Sequence, residues 1–240
     1  MHIVIGNFGN HSLAAVQVLI EKDLPNIHFI YVETGWAAAS WPERVEACSQ
    51  YIKQRGVTVH RLVAQTTFSD MVIARKQFPS QKFQWCASFL KGLTILNHLD
   101  DCDPACEALI VSGKRRLDSR RYADLEEFDY QNELYQRRTV WHPLWNVADA
   151  EFTRLINRTG FALLSHASLE CSPCIHLKQA NNIDSLSFER LDKLEQITQQ
   201  TMFQQPIRQL CTSAPLCDKK GDLSLQQFDL GCGAPWGCGE

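Results

Sequence analysis

Apolar residues fall into two alternating patterns along the first half of the chain. His2-Ile3-Val4-Ile5 is a short, mostly β-branched run, ended by the turn-forming Gly6-Asn7-Phe8-Gly9-Asn10, after which Leu13, Val16, Leu19 and Ile20 recur at helical spacing. The strand signal returns at 27–32. Pro42 then opens a predicted helix to about Arg55, because proline's fixed φ suits a first helical position, and Gly56 stops it. Residues 57–63 predict a third strand, 86–99 a helix, and 108–112 a fourth strand ending at Gly113. A β-α-β-α-β-α-β order implies right-handed crossovers and a mostly parallel, doubly wound α/β sheet with helices on both faces. Beyond residue 140 the pattern changes to helices, about 147–158 and 185–203, and then to a Gly/Cys/Pro-rich tail from Cys211. The expected organisation is an α/β domain over 1–145 with a helical, cysteine-bearing C-terminal extension over 146–240 packed on it.

Composition narrows the function classes. The chain has 240 residues and is 45% hydrophobic, enough for a sizeable core and against global disorder. Twenty-four Lys and Arg against twenty-seven Asp and Glu leave a formal charge of -3, so any polyanion has to be met by a local patch. No apolar run approaches the roughly 18–20 residues of a membrane span, and the first residues lack a basic segment followed by a long apolar stretch. The reading is a soluble, cytoplasmic protein with no membrane partner. Ten cysteines are many for such a chain, and without a secretory signal they point to metal ligation, redox chemistry or buried thiols before structural disulfides.

In parallel sheets ligands bind beyond the carboxyl ends of the strands, which directs attention to the loops 6–12, 33–41 and 113–121. The first joins a strand to a helix, so its backbone N–H groups can receive an anion, with Ser12 capping the helix or contacting a phosphate. It matches neither GxxxxGK[ST] nor GxGxxG. Arg115 and Arg116 are forked, permanently charged donors suited to phosphate or sulfate oxygens. The alternative is a solvated basic face, Lys114, Arg115, Arg116, Arg120 and Arg121, balanced by Asp118, Asp124, Glu126, Glu127 and Asp129. That near balance speaks against a general nucleic-acid patch there. Cys171-Ser172-Pro173-Cys174 is a C-x-x-C, a spacing for a metal, a cluster or a redox pair.

Five segments, taken in order, resemble a known family. Asn7-Phe8-Gly9-Asn10-His11-Ser12 is similar to the SGGxDS pyrophosphate loop of PAPS reductases and N-type ATP pyrophosphatases. Val32-Glu33-Thr34-Gly35 with Trp41-Pro42-Glu43 resembles their DTG…PE segment, and Trp85-Cys86-Ala87-Ser88-Phe89-Leu90-Lys91 their (W/C)C…K segment. Gly113-Lys114-Arg115-Arg116-Leu117-Asp118-Ser119 resembles GxRxxES, and Pro143-Leu144-Trp145-Asn146-Val147-Ala148-Asp149 resembles PLxDWtxxDV. Together they span about residues 1–175. Two departures stand out: His11 occupies the loop's usual Asp position, and Asn7 replaces its first Ser.

The resemblance implies an adenine nucleotide alpha hydrolase-like fold and a site for ATP or a related adenine nucleotide with Mg2+. Its binding residues would be Asn7, Phe8, Gly9, Asn10, His11, Ser12, Glu33, Thr34, Gly35, Lys91 and Gly113, with Arg115 and Arg116 acting on the reacting phosphate. By likeness to the cluster-bearing APS reductases, Cys86, Cys171 and Cys174 are expected ligands of a 4Fe-4S cluster, or of zinc. Trp85 stands where the fourth ligand would be, so Cys232 or another tail thiol, Cys211, Cys217 or Cys238, would complete the set. The activity implied is an ATP pyrophosphatase that adenylates a nucleic acid or metabolite for sulfur transfer, served by a cysteine-desulfurase-type donor. The rivals are a sulfonucleotide reductase with Cys238 as nucleophile, and a nucleotide-binding subunit that lost turnover with His11. A homodimer is compatible with all three.

Overall fold

The computed structural model describes residues 1–80, 82–176 and 183–212, together with Trp236. Six strands form one sheet in the order β3-β2-β1-β4-β6-β5. They are β1 (His2–Ile5), β2 (Ile27–Glu33), β3 (Thr58–Val63), β4 (Leu109–Val111), β5 (Phe128–Asn132) and β6 (Arg138–Trp141). All neighbours are parallel except the β5–β6 pair. The helices are α1 (Asn10–Glu21), α2 (Trp41–Lys53), α3 (Phe68–Arg75), α4 (Leu93–Cys102), α5 (Asp149–Thr159), α6 (Ser185–Thr198) and α7 (Ile207–Thr212), with a π-helix at Cys86–Gly92 running into α4.

Strand alternation divides the core between the two faces of the sheet, as the period-2 pleat requires. Ile3, Ile5, Ile30, Val32 and Ile110 pack with Phe68, Val72, Ile95, Leu99, Leu191 and Leu194, from α3, α4 and α6. Val4, Phe29, Tyr31 and Val111 pack with Leu13, Val16, Leu19, Val45, Ile52, Phe152 and Leu155, from α1, α2 and α5. The expected doubly wound α/β sheet is therefore observed, with corrections at its margins. The helix expected over 86–99 is a π-helix followed by α4, a further helix, α3, precedes it, and an antiparallel edge is added by β5 and β6. Helix α5 is tied to α1 by Arg158, whose Nε donates to Glu21 Oε1 at 2.7 Å.

Candidate active site at the strand ends and a cysteine seam

Central strand β1 ends at Ile5, and the loop leading into α1 is braced from within. Asn7 is fully buried: its Oδ1 accepts from the Gly9 N–H at 2.7 Å and from the Ser12 hydroxyl at 3.2 Å. Asn10 is bonded in both directions to Leu164, donating to its carbonyl at 2.9 Å and accepting from its N–H at 3.0 Å. Phe8 takes a left-handed φ of 62° and stacks its buried ring on Phe29 at 4.4 Å, while its carbonyl accepts from Arg44 Nε. Asn7, Phe8 and Asn10 thus shape the loop with their side chains. What the loop presents is backbone: Gly9 caps α1 without a side-chain bond, which suits an anion at the first helical turn.

Gly113 fits this loop closely. A Cβ there would lie 2.6 Å from the His11 carbonyl oxygen and 2.7 Å from its carbonyl carbon, so only glycine lets the end of β4 approach the loop this far. One residue past β2 and one past β4, on either side of β1, the hydroxyls of Thr34 and Ser112 are buried and have no hydrogen-bond partner among the described residues. Buried polar atoms are ordinarily bonded, so a pair of orphans flanking an anion-ready loop makes these strand ends the candidate site for a polar ligand. Ser112 was not among the residues singled out by sequence.

His11 packs between Asp118 of the loop after β4 and Phe152 of α5. Its Nε2 stands 3.0 Å from Asp118 Oδ2, its ring lies 5.0 Å from that of Phe152, and its Nδ1 is buried without a partner among the described residues. Arg115 closes the same cluster: Nε and Nη2 donate to Asp118 Oδ1 at 2.9 and 2.6 Å, Nη1 donates to Asp149 Oδ1 at 2.9 Å and to the Val147 carbonyl, and the guanidinium covers the Phe152 ring at 4.2 Å. Burial pushes the Asp118 carboxyl up, but His11 and Arg115 outweigh it and hold the group below its ordinary value. Arg115, read from sequence as a phosphate donor, is committed to two carboxylates and acts as a strut. Arg116 donates Nε to the Leu125 carbonyl at 2.6 Å and lies over Trp145 at 4.5 Å.

Two further sequence candidates flank Thr34. Glu33 accepts from Arg61 Nη2 at 2.7 Å in a partly exposed pair. Gly35, at φ 70°, turns the chain where Thr67 packs against it.

The cysteine-bearing segments meet along a seam. Lys91 of the π-helix donates to both oxygens of Glu170, at 2.8 and 3.0 Å, with both side chains almost wholly buried. At the other end Gln84 Nε2 lies 3.2 Å from His176 Nε2. Residues 84–91 are thereby tied at both ends to 170–176, with Cys86 on one side of the seam and Cys171 and Cys174 on the other. Arg190 of α6 fastens it, donating to the Ser172 carbonyl at 2.7 Å and to the carbonyls of Trp36 and Ala37. Trp36 Nε1 donates to the Pro173 carbonyl.

Asn7 joins loop and seam, its Nδ2 donating to Ser168 Oγ at 2.8 Å and to Glu170 Oε1 at 3.4 Å. Glu170 and Arg190 escaped the sequence reading; a carboxylate directly before the C-x-x-C was the available signal. Lys91, expected at the nucleotide, belongs to this ion pair.

Among the described residues the donor set fits metals poorly. The loop offers Mg2+ no carboxylate of its own, and Asp118 is held by His11 and Arg115. Among the described residues no group of three or more His, Cys, Asp or Glu side chains could hold a metal ion, Cys86, Cys171 and Cys174 included. Cys217, Cys232 and Cys238 lie outside the described residues. Cys48 is a buried thiol on α2, pushed up to about 11 by burial, with Arg44 pulling it back. Cys102 and Cys106 are half-buried.

This arrangement, an anion-ready loop after the first strand with the glycine that follows β4 against it, coincides with a match to a known domain model. Residues 2–165 match the phosphoadenosine phosphosulfate reductase domain. The chain belongs to that family. The match takes in the loop, Gly113 and α5, and stops short of Glu170 and the C-x-x-C. Members of this family bind an adenine nucleotide and are typically enzymes, and the loop, Thr34 and Ser112 all lie within the matched part. Among similar solved structures is phosphoadenylyl-sulfate (PAPS) reductase from Candida auris in a phosphate complex, at 14% identity over 70% of this chain and 79% of that one, with a TM-score of 0.49. No curated protein matches the chain. No helix among the described residues is long and apolar enough to cross a membrane.

Proposed function

We propose that this protein binds ATP across the carboxyl ends of β1, β2 and β4 and uses it to activate an acceptor oxygen for sulfur transfer. The nucleotide's phosphates would rest on the first-turn amides of α1, where the helix dipole favours negative charge. Thr34 and Ser112 would give their orphan hydroxyls to the same ligand. His11, whose Nε2 faces Asp118, would offer its Nδ1 to a phosphate oxygen where a carboxylate would repel it. Attack of the acceptor oxygen on the α-phosphorus would release pyrophosphate and leave AMP as a good leaving group, which a sulfur nucleophile then displaces.

The observation that carries the reading is the buried chain Asn7–Glu170–Lys91. It links the loop to both cysteine-bearing segments, which supports a reading in which nucleotide and thiols share one site. A sulfur-donor protein of the cysteine-desulfurase type would load those thiols. The family match favours a second reading, a sulfonucleotide reductase in which a thiolate, with Cys238 the sequence candidate, attacks the sulfur of PAPS or APS.

Parallel assays on the full chain separate the two. Pyrophosphate release from ATP supports the first reading, and sulfite release from PAPS or APS with a thiol reductant replaces it with the second. Tight nucleotide binding with neither product leaves a binding subunit. Iron, acid-labile sulfide and zinc analysis of an anaerobic preparation tests whether Cys86, Cys171 and Cys174 carry a 4Fe-4S cluster or zinc.

A further inference from the structure

The segment 71–99 contains no Asp or Glu, in a chain that has twenty-seven, while it holds Arg75, Lys76, Lys82 and Lys91. Lys91 is spent on Glu170, but Arg75, Lys76 and Lys82 are exposed and form no ion pair among the described residues. The arginine-rich stretch after β4 is the opposite case, with Arg115 held by Asp118 and Asp149. Around the unpaired cations stand large exposed apolar side chains: Phe83 is 54% exposed, Phe89 42% and Ile73 41%. The Arg75 guanidinium lies 5.6 Å from the Phe83 ring centre, 5.3 Å from Phe89 and 5.5 Å from the buried Trp85, which makes one continuous aromatic and cationic platform.

We infer that this platform, formed by the carboxyl end of α3, the π-helix, and Lys76, Lys82 and Phe83 between them, docks single-stranded nucleic acid. Flat rings that keep a face toward solvent offer base stacking, and unpaired cations beside them offer phosphate neutralisation. That combination suits a single strand, whose bases are free to stack, and not a duplex, whose bases are already stacked. Charge complementarity selects a polyanion, because a chain of net charge -3 carries here a face without a carboxylate in its sequence. Position adds the functional sense. Phe83 precedes Cys86 by three residues and Phe89 follows it by three, on the helix that bears that half-buried thiol. A strand stacked on these rings crosses the edge of the cysteine seam. The inference thus rests on the sulfur-transfer reading and names its acceptor class.

Fluorescence anisotropy of labelled dT12 and rU12 with the full-length protein tests this. Saturable binding of either polymer at low salt is expected, with log K falling against log salt at a slope of about -2 for three neutralised phosphates. Phe83→Ala and Phe89→Ala should each weaken binding about 5-fold or more with that slope unchanged, while Lys76→Ala and Lys82→Ala should each reduce its magnitude by about 0.7. Both rings are exposed, so an unchanged melting temperature certifies the variants. The proposal is overturned if neither oligomer binds, if a duplex binds as tightly, if the ring variants bind normally, or if anionic vesicles bind with the same dependence on Phe83 and Phe89. Nucleotide binding and pyrophosphate release, measured on the same samples, keep the two readings apart. Oligomer binding without pyrophosphate release removes the activity and leaves the surface, and the reverse removes only the surface.

Discussion

Lys91 and Glu170 form an ion pair inside the protein, Nζ to Oε1 at 2.8 Å, with the side chains 2% and 3% exposed. Burial pushes the Glu170 carboxyl up, and Lys91 with Asn7 draws it back. Removing one partner of such a pair strands the other charge, so Glu170→Ala should cost about 3–5 kcal/mol of unfolding free energy. The double variant Lys91→Met/Glu170→Leu should recover much of that cost. Urea unfolding of the three proteins decides it; equal losses in the single and double variants would deny the coupling.

Thr34 and Ser112 give a test with effects of opposite sign. Each hydroxyl is buried without a partner among the described residues, so Thr34→Val and Ser112→Ala should leave the unliganded protein as stable or stabler, by up to about 1 kcal/mol. The same variants should bind ATP about 3- to 10-fold more weakly, since they lose a hydrogen bond made only to ligand. Calorimetric titration alongside thermal melts reads both. Unchanged affinity in both variants would mean that the nucleotide does not reach these groups.

The His11–Asp118 contact predicts that restoring the loop's usual acid is harmful here. His11→Asp would set two carboxylates about 3 Å apart in a largely buried place, raising the pKa of one of them and costing stability at neutral pH. The loss should shrink as pH falls towards 5, when the pair shares a proton. Melting temperatures across pH 5–8 measure it, and a His11→Asp protein as stable as the parent at pH 8 would contradict it.

On the other side of the sheet three histidines adjoin. His28 Nδ1 lies 2.8 Å from His60 Nε2, and the His60 and His98 rings are 4.6 Å apart. Burial lowers the pKa of all three below 6.5; His28 and His60 are lowered further by neighbouring positive charge, including the amino terminus at His28, while Asp101 offsets part of the fall at His98. Their unfolded forms bind protons first, so stability is present in full above about pH 6.5 and declines as pH falls through the depressed folded values. His60→Gln should flatten the decline between pH 7.5 and 5.5. A parent protein equally stable at both pH values would refute the assignment.

The strands β1, β2 and β4 were legible because they are largely buried and mostly apolar. The edge pair β5 and β6 was not. Arg138 lies fully buried within β6, its Nε donating to Asp103 at 2.7 Å, and a charge at a core position breaks the pattern on which sequence reading depends. Helix α3 did leave a signal, since Thr67 accepts from the Asp70 N–H at its start, but its eight residues show little periodicity. At the site, the loop, Gly113 and the C-x-x-C could be read from residue types and order. The engagement of Arg115 and Lys91 by carboxylates could not, because Asp149 and Glu170 lie 34 and 79 residues away in sequence and meet them only through the fold.

Calorimetric titration of ATP and of PAPS into the parent protein and a Gly113→Val variant tests the central claim most directly. A side chain at 113 would drive into the His11 backbone and displace the loop. The account predicts one saturable adenine-nucleotide site in the parent and its loss, by a factor of about 100 or more in affinity, in the variant. Failure of the parent to bind either nucleotide, or equal affinity in both proteins, would contradict it.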